Sequence, residues 1–358
     1  MREPYVVPTC DDSNDGFGFR VPAATIRMTQ EAPANAKAVI DQMPLPMPFE
    51  PYEPPRGFGV ITCYFNPNRY RSRLRNYLLF RDSLRVSGMP CLTIECLFDG
   101  LSPELADSDG VHTVIARDVL WQKERLINLA IARLPKEWTT IAWLDNDILF
   151  ENPKWAVDAV AQLERHVIVQ LFSEIIRLPQ GATWGRQGQQ WDSFGSVIKR
   201  NPNQLLKLSF ARHGHTGFGW AAHRDFLTRH GLYDGCISGT GDHLMAHAFA
   251  GDWTGECIDR IFGAADPYRS HFTEWARAAY RSVRAKVSYV PGTVFHLWHG
   301  DIVNRQYDLC NQELASSNFD PTIDLRVGAG GCWEWATDKP SLHAWAAEYF
   351  GTRKEDGI

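Results

Sequence analysis

The sequence predicts an α/β protein built on a mixed, mostly parallel, Rossmann-like sheet flanked by helices, and three observations carry that reading. Between residues 57 and 172, short runs rich in strand formers alternate with stretches of helical periodicity, the order that produces parallel sheets. One of these runs, residues 141–144, is wholly apolar, lacks a helical period, and leads into two carboxylates, Asp145 and Asp147. The chain has 358 residues, 44% hydrophobic and 22% charged, which is the composition of a globular protein with enough length to bury a large core.

Taken in order, residues 1–56 carry ten of the 21 prolines. Proline lacks a backbone donor and fixes φ, so this stretch reads as a proline-rich N-terminal arm, extended, with Ile26, Met28, Val39 and Ile40 available to wrap a main domain. The compact domain opens near Gly57. Residues 59–65 form a strand closed by Asn66-Pro67, residues 70–84 a helix, and residues 91–98 a second strand ending at Asp99-Gly100. A third strand spans 111–116. The helix over 121–134 places Ile127, Ala130, Ile131 and Leu134 on one face, with Asp118 as its N-cap. The strand into Asp145 follows, then a helix over 155–165 and a strand over 166–172. Residues 173–214 are rich in Gly, Gln, Arg and Trp and show little period, so they are expected to be an irregular functional segment beside a cleft. A Gly-rich turn, strand and helix cover 214–227, and a loop at 238–241 feeds a helix starting around Asp242. The last strands, 287–290 and 293–297, close on His296, His299 and Gly300. Residues 57–307 thus read as the catalytic domain and 308–358 as a C-terminal extension packed on it.

A net charge of −5 argues against a surface coated for nucleic acid. No stretch approaches 18 uninterrupted apolar residues, and the N-terminus lacks the apolar core of a signal peptide, so the expectation is a cytoplasmic protein without membrane insertion. The eight cysteines include no C-x-x-C pair and read as buried thiols.

The chemistry gathers at the carboxyl end of strand 141–144, where open α/β sheets bind their ligands. Asp145 and Asp147 are two hard oxygen donors at a spacing that can hold Mg²⁺ or Mn²⁺ and leave positions for phosphate oxygens. Lys123 lies in the first turn of its helix, where the dipole already favours anions; it or Arg125 could meet a base or diphosphate, or both could be solvated helix charges. Asp242 is either a general base, a helix cap, or both. His243 and His247, four apart, could share a helix face as zinc ligands but have no third ligand at a recognisable spacing. Arg69, Arg71, Arg73, Arg75, Arg81 and Arg85 form one dense basic stretch, read as a solvated helix face or as a track for a polyanionic acceptor.

The order of these signals resembles glycosyltransferases of the GT-A fold, close to family 2, over roughly residues 57–307. Thr62, Tyr64 and Asn66 look like the opening nucleotide-binding strand. Asp99 is similar to the acid that contacts the base, and WQKERLIN at 121–128, with Lys123, Arg125 and Asn128, resembles the helix preceding the metal strand. LDND at 144–147 is similar to the DxD motif, with Asp145 shared between metal and ribose. HTGFGWAAHRDF at 215–226 resembles the segment lining the donor sugar, with Gly217 and Trp220, and Trp298 is a second candidate ring for stacking on sugar. GTGDH at 239–243 resembles the loop bearing the catalytic carboxylate, here Asp242, although the family's second adjacent acid is replaced by His243. FHLWHG at 295–300 is similar to the late histidine that completes metal coordination, His299 or alternatively His296. The resemblance implies a hexosyltransferase with Mn²⁺ or Mg²⁺ as cofactor, a nucleotide-sugar donor (a UDP-sugar), and inversion at the anomeric carbon. The tail, with NRQY at 304–307, FDPTIDL at 319–325 and the segment 331–350, resembles phage and bacterial glycosyltransferases, some of which act on hydroxymethylated pyrimidines in DNA. The acceptor alternatives are therefore modified DNA, in a host cytoplasm if the protein is phage-encoded, or a glycan. Competing readings of the same residues are a metal-dependent hydrolase and a catalytically inactive sugar-binding module.

Overall fold

The computed structural model describes residues 53–98, 100–105, 110–201, 210–263 and 266–357. Its strands are β1 Phe58–Phe65, β2 Cys91–Phe98, β3 Val111–Ala116, β4 Thr140–Leu144, β5 Ile148–Phe150, β6 Ile168–Gln170, β7 Glu174–Arg177, β8 Gln189–Asp192, β9 Gly219–His223, β10 Val287–Tyr289, β11 Thr293–His296, β12 Leu325–Val327 and β13 Trp333–Trp335.

Every residue of β1 and of β4 is buried, which is why both read as continuous rather than alternating hydrophobic runs. They pair in parallel at the centre of a seven-stranded sheet ordered β10-β6-β9-β4-β1-β2-β3, in which β9 alone runs against its neighbours. The helices Arg71–Val86 and Lys123–Ile131 cross between the parallel strands. The second buries Leu126, Ile127, Ala130 and Ile131, three of them members of the predicted apolar face. The class expected from the sequence, mixed α/β on a mostly parallel sheet, is the class observed.

A second sheet, ordered β5-β11-β7-β8, leans on the carboxyl end of the first. It corrects two expectations. The run 166–172 is not one strand: after β6 the chain leaves the main sheet and Ser173 N donates to the Gly292 carbonyl at 2.9 Å, starting β7 in the second sheet. Residues 173–214 are not irregular either, since they contain β7, β8 and the helices Phe194–Arg200 and Phe210–His213. No position of β8 is buried, which removes the alternation that marks a strand in sequence. Asp118 is not a helix cap. Its carboxylate accepts from Trp335 N at 2.8 Å and pairs with Arg117, while Gln122 holds the N-cap position.

The 18-residue helix Asp266–Val283 was not anticipated, although Tyr268, Phe272, Ala276, Ala279 and Val283 form a buried stripe at helical spacing. The tail folds back over the sheet. Trp121 and Phe350 stack with ring centroids 6.3 Å apart, and Tyr70 Oη donates to the Phe350 carbonyl at 3.0 Å. Helix Arg71–Val86 has no side-chain cap from Tyr70. Instead Asp356 accepts from Arg71 N at 2.9 Å and Ser72 N at 2.8 Å, so the tail supplies the acceptor that the helix start needs.

Candidate active site

The turn Asp145-Asn146-Asp147 leaves the main sheet at the end of β4 and enters the second sheet at β5. Asn146 Nδ2 donates to the Cys63 carbonyl at 2.6 Å and Asp145 N to the Phe218 carbonyl at 2.8 Å, which fixes the turn from both neighbouring strands. Because β5 pairs with β11 in a register that sets Ile148 opposite His296, Asp147 lies beside the end of β11, and Leu297 N donates to the Asp147 carbonyl at 2.8 Å.

The side chains then converge. Asp147 Oδ2 lies 3.0 Å from His299 Nε2, Asp147 Oδ1 lies 3.8 Å from His296 Nε2, and the two Nε2 atoms are 3.2 Å apart. Asp147 Oδ1 is buried without a hydrogen-bond partner, an orphan oxygen facing an imidazole nitrogen. One carboxylate oxygen and two imidazole nitrogens within 4.8 Å of one another fit a divalent cation. Burial pushes the Asp147 carboxyl up, but His299, His296 and Arg73 outweigh it and hold the group well below the usual carboxylate range. Burial holds His296 well below its ordinary value, with Asp147 opposing.

Behind His299 stands Glu355. Its Oε1 lies 3.2 Å from His299 Nδ1 and 2.6 Å from Arg353 Nε, and its Oε2 lies 3.3 Å from Arg73 Nε. With Nδ1 facing this carboxylate, Nε2, the nitrogen facing Asp147 and 2.8 Å from Arg305 Nη2, is the atom that would meet a metal. The structure thus distinguishes the two histidines, since the carboxylate support falls on His299. Burial raises the Glu355 carboxyl, and Arg353, Arg73 and His299 overcome it to depress it well below its ordinary value.

On the other side of the turn, Lys123 Nζ bridges Asp145 Oδ1 at 2.6 Å and Asp242 Oδ2 at 2.5 Å. Burial disfavours the ammonium, but the two carboxylates dominate and hold it well above its ordinary pKa. Burial also raises Asp145, against the pull of Lys123. Asp242 stands in the first turn of helix Gly241–Ala250 with Thr240 as N-cap, so its side chain serves the cluster and not the cap. Gly217 lies against it, where a Cβ would come 3.2 Å from Asp242 Oδ2.

Glu124, next to Lys123, is buried, and its Oε2 has no hydrogen-bond partner. Burial pushes its carboxyl up to about 8, with Lys123 opposing and Asp242 adding. A folded pKa raised above the unfolded value stabilises fully below about 4.5 and is lost as pH rises through about 8. Urea unfolding should therefore show a stability loss of about 1–2 kcal/mol between roughly pH 7 and 9, flattened in Glu124→Gln. An unchanged pH slope in that variant would remove Glu124 as the titrating group.

The other sequence candidates distribute as follows. Thr62 Oγ1 donates to the Leu144 carbonyl at 2.7 Å and ties β1 to β4. Tyr64 Oη and Asn66 Nδ2 both donate to Glu104 Oε2, at 2.9 and 3.1 Å, and Asn66 also lines a small cleft with Arg73, Trp121, Arg353 and Glu355. Asp99 lies outside the described residues. Arg125 and Asn128 turn away from the cluster to Asp234 Oδ2, at 3.3 and 3.0 Å. Trp220 is core, its Nε1 donating to the Thr216 carbonyl, and Trp298 Nε1 donates to Asp301 at 3.3 Å. The basic stretch is not one face: Arg73 reaches Asp147 and Glu355, Arg75 the Trp298 carbonyl, Arg69 Glu104 and Arg85 Asp82. Arg73, Arg305, Arg353, Glu355 and Glu124 are site neighbours that sequence reasoning did not single out as such. Arg73 lay hidden in the basic run, and nothing local to Glu355 marks it.

No protein-family model matches the sequence, and a search of curated proteins finds no significant match. Among solved structures, the chain is similar to glucosyl-3-phosphoglycerate synthase from Mycobacterium tuberculosis in complex with Mn²⁺, UDP-glucose and phosphoglyceric acid, at 12% identity over 74% of this chain and 79% of that one, TM-score 0.39. It is similar to the catalytic domain of Drosophila β1,4-galactosyltransferase 7 in complex with xylobiose, at 10% identity over 75% and 85%, TM-score 0.37. Mannosyl-3-phosphoglycerate synthase from Rubrobacter xylanophilus aligns at 8% identity over 77% and 82%, TM-score 0.34. Among the described residues, no helix is long and apolar enough to cross a membrane.

Proposed function

We propose that the chain is a metal-dependent, inverting glycosyltransferase that moves a hexosyl group from a nucleotide sugar, a UDP-sugar, to a hydroxyl acceptor. The observation that carries this is the meeting, at the carboxyl end of β4, of a metal-fitting set (Asp147, His299, His296) with a Lys123-linked carboxylate pair, Asp145 and Asp242. Mn²⁺ or Mg²⁺ held by Asp147 and His299 would supply positive charge against the departing diphosphate. Asp242 accepts the proton of the acceptor hydroxyl while that oxygen bonds to the anomeric carbon and the electron pair of the broken glycosyl–phosphate bond leaves on the diphosphate. Lys123 orients Asp242 toward Asp145, and Gly217 keeps the approach to Asp242 open.

With Arg73 and Arg75 turned inward to Asp147, Glu355 and the Trp298 carbonyl, the stretch is not a continuous basic track and gives no reason to prefer DNA over a glycan as acceptor. Thermal-shift titration with UDP, GDP, ADP and CMP, with and without Mn²⁺, tests the donor side: one nucleotide should raise the midpoint only when Mn²⁺ is present, and not in Asp147→Ala. No shift with any nucleotide would sink the transferase reading.

Glu355→Gln keeps the shape of the group behind His299 but removes its charge. Mn²⁺ affinity, followed by titration of the same midpoint, should weaken by roughly 10- to 100-fold. Unchanged affinity would show that Glu355 does not orient the ligand.

A further inference from the structure

The geometry points to a second metal centre, a closed structural zinc site formed by His213, His243, His247 and Cys257. It is separate from the Asp147 cluster and does not depend on the transferase reading. Three segments deliver the residues: His213 ends helix Phe210–His213, His243 and His247 stand one turn apart on helix Gly241–Ala250, and Cys257 lies in helix Glu256–Phe262. One ligand atom from each of the four falls within 4.8 Å of the others. A tetrahedral zinc with Zn–N of about 2.0 Å and Zn–S of about 2.3 Å needs ligand atoms roughly 3.5 Å apart, so small side-chain rotations close the set.

The surroundings are those of a metal site. His247 Nδ1 lies 3.0 Å from Asp252 Oδ2, which leaves Nε2 as the ligand atom, and that Nε2 is buried without a hydrogen-bond partner. His213 Nδ1 lies 2.7 Å from the Gly214 carbonyl, directing its Nε2 inward in the same way. A carboxylate or carbonyl on the far nitrogen is how proteins orient metal-bound imidazoles. The rings of His243 and His247 stack at 4.6 Å and 4°, with His213 edge-on to both. Three imidazoles and one thiol, which binds as thiolate, favour zinc over the harder Mn²⁺ or Mg²⁺. Four protein ligands leave no open position, so the role is structural. The ion would clamp the helix carrying Asp242 to the segment that runs on to Gly217, and so position the base.

The test uses the full chain, purified after growth with zinc and then reconstituted with Co²⁺. About one zinc per chain is expected by elemental analysis, retained through dialysis against Mn²⁺ and retained in Asp147→Ala. The Co²⁺ form should show intense tetrahedral d–d bands and a thiolate-to-cobalt charge-transfer band, and Cys257→Ser should lose the second. Should Cys257→Ser not fold, the wild-type spectrum decides alone. Sub-stoichiometric zinc, zinc lost in Asp147→Ala, weak octahedral Co²⁺ bands, or a charge-transfer band that persists in a folded Cys257→Ser would each overturn the assignment.

Discussion

Asp242→Asn is expected to lower kcat by a factor of about 10² to 10⁴ while leaving Mn²⁺-dependent nucleotide binding intact. The split follows from where Asp242 sits. It belongs to the Lys123 side of the site and touches neither His299 nor His296 among the contacts of the metal-fitting set, which centres on Asp147. The amide is isosteric with the carboxylate and can still accept a hydrogen bond from Lys123, so the loop keeps its place while the carboxylate's capacity to take up a proton is lost. The measurement is nucleoside diphosphate release with donor and acceptor, alongside the thermal shift by nucleotide. Wild-type turnover in the variant would remove Asp242 from the chemistry. Loss of nucleotide binding together with turnover would show that the residue holds the donor instead.

Lys123→Met should cost about 3 kcal/mol of stability, the lower end for breaking a buried ion pair by removing one partner. Asp145 and Asp242 both depend on the one ammonium, with side chains at most 23% exposed. Glu124 adds a third acid to the same neighbourhood, and its pKa is already raised by burial. Without Lys123 the carboxylates repel and must take up protons or water. Methionine preserves the volume of the aliphatic stem, so a large loss reports on charge and not on a cavity. Urea unfolding at neutral pH checks this. A change within about 0.5 kcal/mol, typical of a surface substitution, would mean that solvent screens the cluster.

The amino-acid sequence alone determined the parallel half of the sheet and the position of the turn beyond β4. The strands β1 to β4 and the helices between them are each specified by a run of 5 to 16 consecutive residues, whose apolar spacing survives any later packing. The predicted bounds of β2 and β3 coincide with those observed. Asp145 and Asp147 were legible for the same reason, as acids terminating an apolar run.

Tertiary structure decided the partners. That His299 and not His296 has a supporting carboxylate depends on Glu355 arriving from the end of the chain. That Arg73 is a site residue and not a member of a basic face depends on how helix Arg71–Val86 is rotated against β5 and on where the tail lies. Arg125 and Asn128 share a helix with Lys123, yet a few residues of helical rotation turn them to Asp234. The pair His243 and His247 was visible as an i, i+4 spacing, but His213 and Cys257 join it only through the packing of separate segments. Local periodicity records which face of an element is buried. Which charges and ligands meet is set by strand register and helix packing between residues far apart in the chain, and no short window of sequence contains that information.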